Sequence, residues 1–260
     1  MSKEEEQTRF LAWDACYNAR EVGGYPAANG RHTRWRALVR ADNLHRLTPE
    51  GQAALRDYGV RTIVDLRLAH ELERHPNPFA AQQEVDGAPR YLNLPFHNDD
   101  PETIDAMHAA EATQGEYIVL VERSKELIGA AIKAVAASLE EGGVLVHCHG
   151  GKDRTGIIVA LLLSLAGVPR DNIAEDYAIS EARLEPAHSE WLEEQAKAQG
   201  HPIERPHWMY SRPEKMAGLL DYLDQHYGGV EGYLEACGVT RAEMEQIREH
   251  LIAPAEDSNS

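Results

Sequence analysis

Gly142-Gly143-Val144-Leu145-Val146-His147-Cys148-His149-Gly150-Gly151-Lys152-Asp153-Arg154-Thr155-Gly156-Ile157 reads as a strand, a tight loop and the start of a helix. The paired glycines end whatever precedes them. Val144–His147 is a short apolar run of strand length, and Ile157 to Ala166 is a helix-like apolar run. A loop between a strand and a helix N-terminus gathers backbone N–H groups and the positive end of the helix dipole at one point, which makes an anion cradle. A cysteine placed there is held as a thiolate, and an arginine grips a tetrahedral oxyanion through two hydrogen bonds.

Outward from this stretch, the chain alternates strand-like and helix-like segments. Ala37–Arg40, Val60–Leu66 and Tyr91–Phe96 are the other β-like runs, the second rich in β-branched residues and preceded by the turn residue Gly59. Thr48-Pro49-Glu50 opens a helix, with Thr48 as N-cap and Pro49 in the first turn. Val121, Ile128, Ile132, Val135 and Leu139 recur at helical spacing, so one long helix is expected over Gly115 to Glu140. Beyond Gly167-Val168-Pro169 two helices are expected, Arg170–Glu181 and Glu185–Gln199, then a loop from Gly200 to Pro213 and further helices to about Leu251. The expected fold class is α/β: a central, mainly parallel sheet of four or five strands flanked by helices, with a helical C-terminal half and a candidate lid over about 170–215. The expected layout is a flexible N-terminus over 1–13, a single domain over 14–252 and a disordered tail over 253–260.

The 260 residues are 43% hydrophobic and 27% charged, with a mean hydropathy of −0.49. No run approaches the roughly 18 apolar residues of a membrane span, so stable membrane insertion is not expected. The net charge of −17 opposes nonspecific attachment to nucleic acid or to an anionic membrane. An anionic substrate must therefore be drawn to a local positive site. The acidic start, Met1-Ser2-Lys3-Glu4-Glu5-Glu6, lacks the apolar core of a signal peptide. Cys16, Cys148 and Cys237 are an odd, widely spaced set that does not form a disulfide framework, and a reducing cytoplasm is expected. Leaderless secretion stays open. Oligomeric state is not legible.

Within the loop each residue type has a mechanical reason. Cys148 is the candidate nucleophile and Arg154 the oxyanion clamp. Gly150, Gly151 and Gly156 allow close backbone approach, and His149 and Lys152 complete the binding loop. Thr155 is placed to donate its hydroxyl to the sulfur, and His147 to orient the loop through the backbone. His147-Cys148-His149 is not read as a metal site, because adjacent strand residues face opposite ways and no partner pair of cysteines exists. Arg31, Arg34, Arg36 and Arg40 read as a solvated strand face, with Arg40 held in reserve. Cys16 and Cys237 read as packing residues, and Trp208-Met209-Tyr210 as core or lid packing.

The segment His147–Thr155 resembles the signature loop of protein tyrosine phosphatases, His-Cys-x5-Arg-Ser/Thr. Its Gly-Lys-Asp-Arg-Thr-Gly form is similar to a bacterial branch that includes the mycobacterial and Listeria tyrosine and lipid phosphatases. Asn18-Ala19-Arg20-Glu21-Val22-Gly23-Gly24 resembles that branch's N-terminal Asn-x-Arg-Asp-x-Gly-Gly motif, with Glu21 in place of Asp. Arg40–Leu44 and Val64-Asp65-Leu66-Arg67 resemble two further segments.

The resemblance implies a phosphocysteine intermediate and no metal or other cofactor. It also implies phosphotyrosine hydrolysis, extended to phosphoserine, phosphothreonine or phosphoinositides. The partner is then a phosphorylated protein or a phosphoinositide. Similar lysines to Lys152 accompany lipid activity. Asp153 is the preferred general acid, Asp99 and Asp100 are alternatives, and Asp65 is a weaker one. Asn18, Arg20, Arg40 and Asp65 are supporting candidates. An idle phosphate-binding module and a rhodanese-like sulfur transferase are the competing readings.

Overall fold

The computed structural model describes residues 9–83, 85–111 and 115–254. Five strands form one sheet: β1 (Arg20–Glu21), β2 (Leu38–Ala41), β3 (Val60–Asp65), β4 (Arg90–Asn93) and β5 (Gly143–His147), in the order β1-β2-β5-β3-β4. β1 runs antiparallel to β2, and every other pairing is parallel. β5 is central, with Arg40 opposite Val146 on one side and Asp65 opposite His147 on the other. Parallel strands bring their C-terminal ends to one edge, so β2, β3 and β5 deliver Asp42, Leu66 and Cys148 to the same place.

The strands alternate with period two between two apolar layers. Leu38, Val64, Val144 and Val146 face the larger core, while Val39, Ile63 and Leu145 face a smaller one built on Leu11, Trp13, Leu44, Leu55 and Phe79. Both faces are covered, as a parallel sheet requires.

Ten α-helices follow in chain order among the described residues. They are α1 (Pro49–Tyr58), α2 (Ala69–Arg74), α3 (Pro101–Glu111), α4 (Glu116–Arg123), α5 (Lys125–Leu139), α6 (Asp153–Leu165), α7 (Arg170–Gln199), α8 (Pro213–Tyr227), α9 (Val230–Ala236) and α10 (Arg241–Leu251). α1 starts where the sequence places it, with the Thr48 hydroxyl accepting from the Gly51 amide at 3.1 Å. α6 is apolar all round, and Ile157 to Leu163 are each no more than 2% exposed, which marks a helix enclosed by its neighbours.

The structure differs from the sequence expectations at several boundaries. The helix expected over Gly115 to Glu140 is two helices, broken at Ser124, whose φ of −117° lies outside the helical range. Serine favours cap positions because its side chain competes for backbone bonds. The two helices expected after Pro169 are one, since α7 continues for 30 residues through Pro186. β1 carries no strand signal of its own in two residues, and Tyr91–Phe96 pairs only as Arg90–Asn93.

Of the expected flexible N-terminus, residues 1–8 lie outside the described residues, but Arg9, Leu11 and Trp13 are buried. At the other end the Ala253 amide donates to the His32 carbonyl at 2.8 Å, so the ordered chain runs past 252. Residues 255–260 lie outside the described set.

Candidate active site

Cys148 sits immediately beyond β5, 3% exposed, and the chain turns through Gly150 and Gly151 into α6. Gly151 has φ +62°, and a Cβ there would lie 2.1 Å from the Ala41 carbonyl oxygen. Only glycine fits, and the reason is the close passage of β2. At Gly156 a Cβ would meet the Tyr177 ring at 3.1 Å, so that glycine serves packing inside the fold.

Every carbonyl from Cys148 to Lys152 is tied to a group outside the loop. His147 Nδ1 lies 3.0 Å from the Cys148 carbonyl, and the Asn43 amide donates to that of His149 at 2.8 Å. Asn18 Nδ2 donates to the carbonyls of Gly150 (3.0 Å) and Gly151 (3.2 Å). Arg40 Nη2 donates to those of Gly151 (2.8 Å) and Lys152 (3.3 Å). The amides of Gly150 to Arg154 have no acceptor among the described residues.

Behind Asn18 and Arg40 stands a buried ionic knot. Arg20 donates to Asn18 Oδ1 at 2.5 Å and to Asp176 Oδ1 at 3.0 Å, and Arg40 donates to Asp176 Oδ2. Tyr25 donates its hydroxyl to Asp176 at 3.1 Å. All four charged or phenolic groups are buried. Burial pulls the Arg20 guanidinium down to about 10, while the two arginines outweigh burial to hold the Asp176 carboxyl at about 2. Arg40 thus belongs to this knot and not to a solvated strand face. Glu21, standing where the family motif has Asp, caps a turn: it accepts from the amides of Gly23 (3.1 Å) and Arg36 (3.0 Å) and from the Tyr58 hydroxyl.

Arg154, in the first turn of α6, is gripped by Glu71 of α2. Nη1 and Nη2 donate to Oε2 and Oε1 at 2.5 and 2.8 Å. Burial opposes its charge, but Glu71 and then the Cys148 sulfur raise its pKa above the ordinary arginine value. Arg154 in turn holds the Glu71 carboxyl at about 2 against the effect of burial. Asp153, the first residue of α6, accepts a hydrogen bond from Tyr117 of α4, whose hydroxyl lies 2.8 Å from that of Tyr177.

Lys152, expected in the binding loop, borders both cavities that open on it. Its side chain is buried, and Nζ donates to the carbonyls of Trp208 and Tyr210 (3.1 Å), docking the 207–210 segment onto the loop. The expected bond from Thr155 to the sulfur is not formed, and the buried Thr155 hydroxyl has no hydrogen-bond partner.

Of the alternative acids, Asp99 is exposed against His70 Nδ1 at 2.8 Å, and Asp100 accepts from the Thr103 amide at 2.8 Å as the cap of α3. Asp65 is fully buried. Burial alone would raise its pKa, but His147 and Arg67 hold it well below the usual carboxylate range, so it is a fixed anion with no proton to give. Its Oδ2 accepts from Arg67 at 2.6 Å and from Tyr91 at 2.9 Å.

Two cavities open on the loop. One, of about 370 Å³, has Cys148 in its wall with Tyr17, Leu184, Trp191 and Trp208. The other, of about 520 Å³, includes Glu71, Tyr117 and Lys215. His149, Lys152, Asp153, Arg154 and Trp208 border both.

The model of the tyrosine phosphatase family matches residues 11–253. The chain belongs to the tyrosine phosphatase family. It is 34% identical over 223 residues to a tyrosine-protein phosphatase of Nostoc commune, covering 83% of this chain and 74% of that one. It is 27% identical over 249 residues to the triple specificity protein phosphatase PtpB of Mycobacterium tuberculosis, covering 83% and 90%. The crystal structure of P. aeruginosa TpbA superposes with a TM-score of 0.38 at 16% identity, covering 77% of this chain and 86% of that one. Family membership removes the sulfur-transferase reading.

Glu71, Tyr117, Tyr177 and Asp176 were not reached from the sequence. Glu71 alone had a local signal, an acid in the first turn after a strand that neighbours β5. The others lie 31 and 36 residues before Cys148 and Asp153, or 23 and more beyond them, and only the fold unites them.

Proposed function

We propose that this protein is a cysteine-dependent phosphatase of phosphotyrosine proteins that also accepts phosphoserine and phosphothreonine. The observation that carries the reading is the outward capture of all five loop carbonyls beside Cys148 and Arg154, which leaves the amides for a phosphoryl group.

In the first step the Cys148 sulfur attacks phosphorus, the S–P bond forms and the bond to the leaving oxygen breaks. That oxygen keeps the electron pair and takes the proton from Asp153. In the second step water attacks phosphorus, Asp153 recovers a proton from it, and the S–P electron pair returns to sulfur. Inorganic phosphate leaves. Arg154 and the amides hold the equatorial oxygens throughout. No metal or cofactor enters these steps.

Tyr17, Trp191 and Trp208 give the Cys148 cavity aromatic walls that suit the ring of phosphotyrosine. In this reading the loop over 200–213, within the candidate lid of about 170–215, closes over the site. A phosphoinositide substrate would require Lys152 to leave the Trp208 and Tyr210 carbonyls and meet a second phosphate. The three cysteines, all free and buried, fit a reducing cytoplasm.

Phosphate release from phosphotyrosine, phosphoserine and phosphothreonine peptides and a soluble phosphoinositide tests the proposal, with Cys148→Ser alongside. The variant should lose all turnover. An idle module would bind phosphopeptide yet release nothing in either form.

A further inference from the structure

Asp153 Oδ1 and Oδ2 are not equivalent in this structure. Oδ1 accepts the Tyr117 hydroxyl and lies 3.5 Å from Lys152 Nζ, whereas Oδ2 has no hydrogen bond among the described residues and belongs to a side chain 42% exposed. Tyr117 is 2% exposed and Tyr177 1% exposed, and their rings meet edge to face at 6.1 Å between centroids. A phenol has one proton. Tyr117 spends it on the carboxylate, so across the 2.8 Å contact Tyr177 donates to the Tyr117 oxygen. The result is a directional chain, Tyr177 to Tyr117 to Asp153, reaching from α7 through α4 to the first residue of α6.

We propose that Tyr117 and Tyr177 are positioning residues for the general acid, occupying Asp153 Oδ1 so that the transferable proton resides on Oδ2, facing the cleft. The inference rests on Asp153 being the acid. Neither tyrosine gives up its proton in either step. Burial first, and the Asp153 charge second, raise both phenols far above their ordinary range, so they stay donors wherever the enzyme works. The groups facing the pair are also fixed. Lys215 Nζ stands 4.1 Å from the Tyr117 ring centroid and is itself paired with Glu116. Lys152 is held by backbone carbonyls. A hydroxyl chain of this kind sets orientation without adding charge, which suits a carboxyl that must be an acid in one step and a base in the next.

The experiment compares Tyr117→Phe, Tyr177→Phe and Asp153→Asn, singly and combined, on phenyl phosphate (poor leaving group) and 4-nitrophenyl phosphate (good leaving group), with vanadate affinity as a check on the loop. General acid catalysis is worth about 100-fold or more, and misplacing the acid should forfeit part of it, so kcat for Tyr117→Phe falls ~10-fold on phenyl phosphate and under ~3-fold on the nitrophenyl ester. Tyr177→Phe shows a smaller change of the same sense. In the Asp153→Asn background Tyr117→Phe has no further effect, since the group it positions is gone. Equal losses on both esters, or additive losses in the double variant, would mean a packing role and overturn the proposal while leaving Asp153 as the acid. If Asp153→Asn keeps full turnover on phenyl phosphate, the assignment of the acid fails and this proposal fails with it.

Discussion

Glu71 holds Arg154 with both carboxylate oxygens, at 2.5 and 2.8 Å, in the arrangement a bound phosphoryl group would also seek. The guanidinium has five N–H donors, and Glu71 takes one from each terminal nitrogen, so donors remain for the substrate. The carboxylate therefore fixes the plane and reach of the clamp before substrate arrives. Glu71→Ala should lower kcat/KM by roughly 10- to 100-fold, mainly through KM and weaker vanadate inhibition, because the arginine loses its preset orientation. An increase in activity would show instead that Glu71 blocks the site.

The loop's geometry depends on side chains far from it in sequence. Asn18→Ala leaves the Gly150 carbonyl without its donor and the Gly151 carbonyl with Arg40 alone, and an unsatisfied buried group costs about 1–3 kcal/mol. Asp176→Asn is expected to cost more, ~3–5 kcal/mol, since it leaves Arg20 and Arg40 buried with their charge uncompensated. Denaturant melts read both. If Asp176→Asn unfolds at the midpoint of the parent, the knot contributes nothing.

Gly151→Ala tests the loop's contact with β2. The added methyl would sit 2.1 Å from the Ala41 oxygen on a backbone already at φ +62°. Turnover should be lost along with stability, whereas Gly150→Ala, whose Cβ finds only ordinary contact with Leu184 at 3.6 Å, should fold like the parent. Equal behaviour of the two variants would refute the close approach.

Two groups near the site give separate windows of acid sensitivity. Burial, and then the charges of His75 and His149, push His45 down from 6.5 to about 4. Between those values the unfolded chain binds a proton that the folded chain does not, so stability falls as pH drops from 6.5 toward 4. Glu71, held down from 4.5 to about 2 by Arg154, contributes stability that is complete above 4.5 and lost as pH falls through 2. Melting temperature followed from neutral pH downward should show the first loss, and His45→Gln should flatten it. An unchanged slope in that variant would remove His45 as its source.

The parts of the fold that were legible in the sequence are those with a strong local pattern. β5, the loop and α6 follow from an apolar strand run, glycines and an apolar helix run in direct succession, and α1 follows from Thr48 and Pro49. Ser124 was hidden because the apolar spacing from Val121 to Ile128 passes smoothly across it. The helices expected over Arg170–Glu181 and Glu185–Gln199 are one because α7 runs on through Pro186, a residue that usually ends a helix. At the site, the sequence named Cys148, Asp153 and Arg154 but gave Thr155 a bond to the sulfur that it does not make, and it did not show what Lys152 is bound to. Lys152 is captured by carbonyls of a segment more than 50 residues away, and no local rule announces a backbone partner at that distance.

The central claim is that Cys148 carries the phosphoryl group. Mixing enzyme with a phosphotyrosine peptide, quenching within the first turnovers and mapping phosphate by mass spectrometry tests it most directly. Phosphate on Cys148, absent from Cys148→Ser together with all product release, is the expected result. Phosphate on another residue, or undiminished release by Cys148→Ser, would contradict the account.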